Sequence, residues 1–221
     1  LHVLILAALI LHASAVPERP LHKLLVALSL APLVRILSLS FPLENVDLVY
    51  WYAIIAAPLL VAIMYVAGTI GLKRESLGLT VRAWRFQALV ASSGLAFGIV
   101  EYLILEPEPL IAHLRWESFL IPAIILLVGT GLVEELAFRG VMQSAATAAL
   151  GKGALLYVAT VFAVLHVGYR SPLDVAFVFC IGLFYGWVVA KSRSIAGVAV
   201  SHGLANIVLF LVVPFTAIGS P

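Results

Sequence analysis

The sequence predicts an all-α, polytopic transmembrane bundle of about eight helices. Three observations carry that reading: an extreme apolar composition, apolar runs of spanning length, and connections whose charge alternates. Hydrophobic residues make up 63% of the 221 residues and charged residues only 11%, with a mean hydropathy of +1.15. A soluble domain is about half apolar and about a quarter charged, so lipid is the solvent for most of this surface. The net charge of +2 and the pI near 8.8 come from Lys and Arg gathered in the connections. That is a topology signal, and it implies no nucleic-acid partner.

A spanning helix needs about 20 mostly apolar residues at roughly 1.5 Å each. Charged or proline-bearing breaks divide the chain into segments close to that length: Leu1 to Val16, Leu21 to Phe41, Leu48 to Leu72, Phe86 to Leu105, Ser118 to Leu150, Ala154 to Gly168, Leu173 to Ala190 and Ile195 to Pro214. The first pairs an apolar run, Val3 to Leu11, with the small residues Ala13-Ser14-Ala15, as a signal peptide does. No basic leader precedes it, and a short or truncated span is expected. The fifth is longer than a bilayer requires and is expected to tilt or to project beyond the hydrocarbon. No internal repeat or low-complexity linker interrupts the chain, so residues 1–221 are read as one domain.

Charge tests this division independently of hydropathy. One set of connections carries Arg19 and Lys23, then Lys73, Arg74, Arg82 and Arg85, then Lys152, then Lys191 and Arg193. The intervening set carries Glu44 and Asp47, then Glu106, Glu108 and Glu117 with Arg115, then Arg170 with Asp174. Nine of the thirteen basic residues fall on one side and two on the other, which predicts a cytoplasmic basic side and outward-facing termini.

Ionisable residues inside the spans need a reason, because each is costly in lipid. Arg35 is isolated near the end of its span, where snorkelling or a buried carbonyl suffices, and Glu101 is similar. Cys180 sits in an apolar stretch with no base beside it in sequence, and is read as packing. The fifth segment differs, with Glu134, Glu135 and Arg139 near its middle. Glu135 and Arg139 are four apart, share a helical face and are expected to pair. Glu134 points about 100° away and must find another partner, a proton or water. The sixth segment places Phe162 and His166 on one face, and the eighth places His202 and Asn206 on another. Each alone suits a helix-to-helix hydrogen bond. Their depths overlap, however, so a carboxylate, two imidazoles and an amide are expected to share one pocket nearer the cytoplasmic side.

That pocket permits acid-base chemistry on water. There is no Gly-x-Ser-x-Gly elbow, Ser93 has no adjacent base in sequence, and no His-Glu-x-x-His marks a zincin. Two His and a Glu from separate helices are also a ligand set for zinc. In the simpler reading Glu134 takes a proton from a water that His166 also positions, while His202 and Asn206 face the carbonyl oxygen.

Glu-Glu-x-x-x-Arg at Glu134, Glu135 and Arg139, Phe-x-x-x-His at Phe162 and His166, and His-x-x-x-Asn at His202 and Asn206 occur in order on three separate helices. The pattern resembles the CPBP intramembrane protease family (CAAX proteases and bacteriocin-processing, Abi-like proteins), which includes the type II CAAX prenyl endopeptidases. The motif-bearing core is about 118–213, in the C-terminal four segments. The resemblance implies that Glu134 and His166 activate water, that His202 and Asn206 form the oxyanion site, and that Glu135, Arg139 and Phe162 support them. It favours a glutamate mechanism without a metal cofactor, although the family has often been labelled as metalloproteases. It also implies a membrane-anchored peptide substrate, with prenylated peptides as one class, and membrane lipids as partners. The short loops suggest a prokaryotic cell membrane. Two other readings use the same residues: a non-catalytic immunity or scaffold protein, and a proton-relaying transporter, whose inverted repeats and paired broken helices are not seen.

Overall fold

The computed structural model describes residues 1–41 and 46–216; Glu44, counted above among the acidic connections, lies outside the described residues. The described residues contain helices and no strands. In chain order they form α1 (His2–Ala15), α2 (Arg19–Ser40), α3 (Leu48–Thr69), α4 (Trp84–Leu105), α5 (116–150), α6 (Ala154–Leu165), α7 (Pro172–Ser192) and α8 (Ala196–Phe215). Among the described residues, six helical runs are long and apolar enough to cross a membrane. One of them, Trp116–Tyr169, is 54 residues long and contains both α5 and α6. It turns back at Gly151, whose φ of +55° is a left-handed conformation that glycine adopts without a Cβ clash. The fold is thus the expected polytopic helical bundle, and the 14-residue apolar helix α1 packs against α2.

Several helices depart from regular geometry at identifiable residues. In α2, Pro32 has no N–H to offer the carbonyl of Leu28, and the helix breaks at Ser29, whose hydroxyl turns back to the Val26 carbonyl at 2.6 Å. In α5, wider π-helical turns occupy Leu126–Leu132 and Leu136–Met142, on either side of Val133–Glu135. Such turns cluster at functional sites because the extra residue re-aims side chains.

Glycines decide which helix is central. A Cβ on Gly94 would overlap the Ser201 carbonyl, and one on Gly98 would overlap that of Ala205, so α4 touches the α8 backbone directly. On the opposite side a Cβ on Gly131 would lie 2.8 Å from the Gly203 nitrogen, and one on Gly203 would lie 2.7 Å from the Leu127 Cα. Small residues let helices approach this closely in lipid, where packing rather than hydrophobic expulsion drives association. Accordingly α8 is buried over 67% of its most apolar stretch, against 22–39% for the other spans. Large apolar side chains such as Val61, Tyr65, Leu89 and Leu173 are exposed on the outside, as a lipid-facing surface requires. Cys180 belongs to that outer surface; the expectation that it serves packing is corrected, because it lies on the same outward side of α7 as the exposed Leu173 and Trp187.

The charged connections separate to the two ends of the bundle. At one end Ser144 donates to the Ser76 carbonyl, Thr80 donates to the Arg193 carbonyl, and the Ile195 N–H reaches the Gly78 carbonyl at 3.0 Å. These bonds join the basic 73–85 connection to the basic turn after α7. At the other end the Leu110 N–H bonds the Phe210 carbonyl, and Asp47, Glu108 and Glu117 line one surface cavity.

Candidate active site

All four residues expected to do chemistry, Glu134, His166, His202 and Asn206, line one small cavity of about 70 Å³. A cavity needs only about 10–15 Å³ of this kind of volume per water, and this one is polar, so it has room for several. Glu134 and His166 also line a second cavity of about 390 Å³, walled by α2, α3, α5 and α6. Tyr52, Phe162 and Tyr169 belong to both, so the two spaces adjoin along one wall.

The local structure fixes the proton positions on both imidazoles. At the end of α6 the His166 N–H bonds the Ala163 carbonyl, three residues back, instead of continuing the four-residue ladder. The Phe162 carbonyl is thereby released and takes the His166 ring at 2.9 Å through Nδ1. A carbonyl only accepts, so Nδ1 carries the proton, and Nε2 of the neutral ring is left as an acceptor. His202 Nδ1 lies 2.9 Å from Glu135 Oε1, and its Nε2 is 4.0 Å from Glu134 Oε2. The ionised carboxylate also only accepts, so His202 donates through Nδ1 and turns Nε2 toward Glu134 and the cavity.

The expected pair of Glu135 and Arg139 is present at 2.8 Å, with both side chains almost fully buried. The same oxygen, Oε1, receives Arg139 and His202. Phe162 spaces this assembly: the Arg139 guanidinium lies 4.3 Å over its ring, Phe138 meets it edge-on at 4.9 Å, and His166 and His202 lie 4.8 and 6.0 Å away. Cation–π attraction of this kind is strongest where water is excluded, as here. Asn206 is held by Thr130, which accepts from Nδ2 at 2.8 Å and donates to the Leu126 carbonyl. One of the two Nδ2 hydrogens is therefore spent on Thr130 and the other is free.

Four contributors were not singled out as site residues from the sequence. Thr130 was hidden because its partner is on another helix. Tyr52 and Tyr169 read as ordinary apolar positions. Glu101, expected to reach the helix end, is only 9% exposed and lines the small cavity. Outside the cavity, Asp174, counted as a loop charge, is fully buried at the start of α7. The Gly94 and Gly98 spacing was the available signal for Glu101, since it presses that helix onto α8. Among the described residues no group of three His, Cys, Asp or Glu side chains is gathered as metal ligands. His202 commits Nδ1 to Glu135, which leaves Nε2 facing the cavity.

A buried polar cavity between helices long and apolar enough to cross a membrane marks an integral, multi-pass membrane protein. Residues 116–208 match the family described as type II CAAX prenyl endopeptidase Rce1-like, a stretch that contains all four cavity residues and their supports. That match agrees with the resemblance carried by the three motifs and supports a CAAX-type intramembrane protease in general. Neither the curated proteins nor the solved structures give a match.

Proposed function

We propose that the protein is an intramembrane endopeptidase of a prokaryotic cell membrane that hydrolyses a membrane-anchored peptide with water activated by Glu134 and His166. The observation that carries this is the convergence of Glu134, His166, His202 and Asn206 on one small cavity. Two acceptors, the Glu134 carboxylate and His166 Nε2, suit the two hydrogens of one water and leave its lone pair for the scissile carbonyl. As the oxygen–carbon bond forms, Glu134 takes a proton from the water, and the carbonyl π electrons become the oxyanion. Glu134 then returns that proton to the leaving amine as the carbon–nitrogen bond breaks.

Two donors answer the oxyanion: the free Nδ2 hydrogen of Asn206 and Nε2 of His202. Because Nδ1 of His202 already donates to Glu135, Nε2 donates only from the doubly protonated ring, whose charge Glu134 and Glu135 balance on either side. Each such donor is worth about 3–4 kcal/mol in related chemistry. The scheme needs no metal. Prenylated peptides are one substrate class, since the adjoining 390 Å³ cavity has aliphatic walls.

The test is cleavage of fluorogenic membrane-anchored peptides, farnesylated CAAX peptides included, by detergent-purified protein beside Glu134→Gln, with and without chelator. Cleavage that survives chelator and falls about a hundredfold or more in the variant is expected. Loss with chelator would restore a metal, and equal cleavage by both proteins would remove Glu134 from the chemistry.

A further inference from the structure

We propose that Arg35 is a substrate-binding residue that holds the free C-terminal carboxylate of the peptide fragment lying beyond the scissile bond. The inference rests on the protease reading and adds to it a reason for choosing one end of a chain.

Arg35 lies in the second half of α2, after the break at Ser29, within a run long and apolar enough to cross the membrane. A guanidinium at such a place costs a few kcal/mol or more unless something answers its charge. Among the described residues nothing does: the ion pairs there involve Arg139 and His202, and the Arg35 guanidinium makes neither an ion pair nor a hydrogen bond with them. Arg35 instead faces the larger cavity. Its Nη1 and Nη2 lie 3.8 and 3.7 Å from where a Cβ on Gly168 would be, so the absence of a side chain there leaves the planar fork accessible.

The rest of that cavity describes the ligand. Ile55, Ala56, Leu59 and Leu165 give aliphatic walls, Glu134 and His166 stand at one wall, and Arg35 is the cavity's unpaired cation. The complementary molecule is short and apolar, has a peptide bond at Glu134, and ends in an anion. About 390 Å³ falls within the range of roughly 300–1,000 Å³ typical of small-ligand sites. An extended peptide advances about 3.3–3.6 Å per residue, so a few residues cover such a space. A guanidinium fork meets a carboxylate with two parallel hydrogen bonds, which a lysine cannot reproduce. Arg35 lies outside the 116–208 stretch, so its assignment comes from this geometry alone.

An anionic lipid headgroup offers the same chemistry, and the experiment separates the two sources. A labelled peptide, farnesylated on Cys and followed by three aliphatic residues, is made with a free and with an amidated C-terminus. Binding of each is measured to the full chain carrying Glu134→Gln, alone and with Arg35→Gln or Arg35→Lys, in neutral nanodiscs and in nanodiscs containing phosphatidylglycerol. Cleavage is measured in parallel with Glu134 intact, and thermal unfolding checks that each variant is folded.

The free acid should bind at least tenfold more tightly than the amide. Arg35→Gln should erase that preference, mainly through KM, and Arg35→Lys should restore it only in part. Equal binding of acid and amide, no binding of either, or a preference that persists in Arg35→Gln would overturn the proposal. Phosphatidylglycerol binding that depends on Arg35, without any preference for the acid, would assign the site to lipid and overturn it as well. Cleavage of acid and amide alike leaves the protease reading standing without Arg35, whereas acid-selective binding without cleavage supports the pocket and counts against the protease.

Discussion

Oε1 of Glu135 accepts from Arg139 at 2.8 Å and from His202 at 2.9 Å, so one atom serves both the packing of α5 and the orientation of a site imidazole. The two duties are separable by substitution. Glu135→Met alone should destabilise the protein by about 3–5 kcal/mol, because it strands a buried guanidinium. Glu135→Met with Arg139→Met should recover most of that stability, since well-packed apolar residues often replace a buried pair without loss. Activity should stay low in both, because His202 then lacks the acceptor that fixes its tautomer. Thermal unfolding and peptide cleavage on the same samples check this, and recovery of activity in the double variant would refute the orienting role. The pairing of Glu135 with Arg139 was legible from the sequence because it is local, one helical turn apart. The bond from His202 to Glu135 was not, since 67 residues separate them and hydropathy says nothing about register between helices.

Among the helices, α8 is set between α4 and α5 by backbone contact, and it carries His202 and Asn206 into the site with it. Gly98→Leu would drive a side chain into Ala205 and Val208, beside Asn206. Overpacking of this kind costs about 1–3 kcal/mol, and activity should fall further than stability because the Asn206 amide moves off Thr130. Gly68→Ala is the control: nothing lies within 4 Å of the added Cβ, and it should change neither property. The positions of the long helices were readable from apolar runs bounded by charge. The break at Ser29 and the π turns of α5 were not, because an extra residue per turn leaves no trace in hydropathy. Even so, the two acids of α5 stand where the helix regains regular α geometry between those wider turns.

For the molecule as a whole, the separation of basic and acidic connections predicts orientation. With Cys180→Ser as background, a cysteine at Ser76 should react with a membrane-impermeant thiol reagent only from the cytoplasmic side, and one at Glu108 only from the outside. The reverse pattern would invert the bundle. Charge alternation made the two ends legible before any coordinates, whereas the depth of the site was not, since it depends on how far α5 extends past its neighbours. Glu134 stands 16 residues from the Leu150 end of α5 and 18 from the Trp116 end (150 − 134 and 134 − 116), close to the middle of that helix. The chain order of the parts has a further consequence. The proposed water-activating pair is made on the α5–α6 hairpin, but both proposed oxyanion donors arrive on α8, which leaves the ribosome after that hairpin. A nascent chain that has emerged only as far as Ile195 holds a base with nothing to receive the charge it would create. Under the proposed mechanism the chain is thus inert until α8 is made, and would gain activity in the step that seats its most buried span.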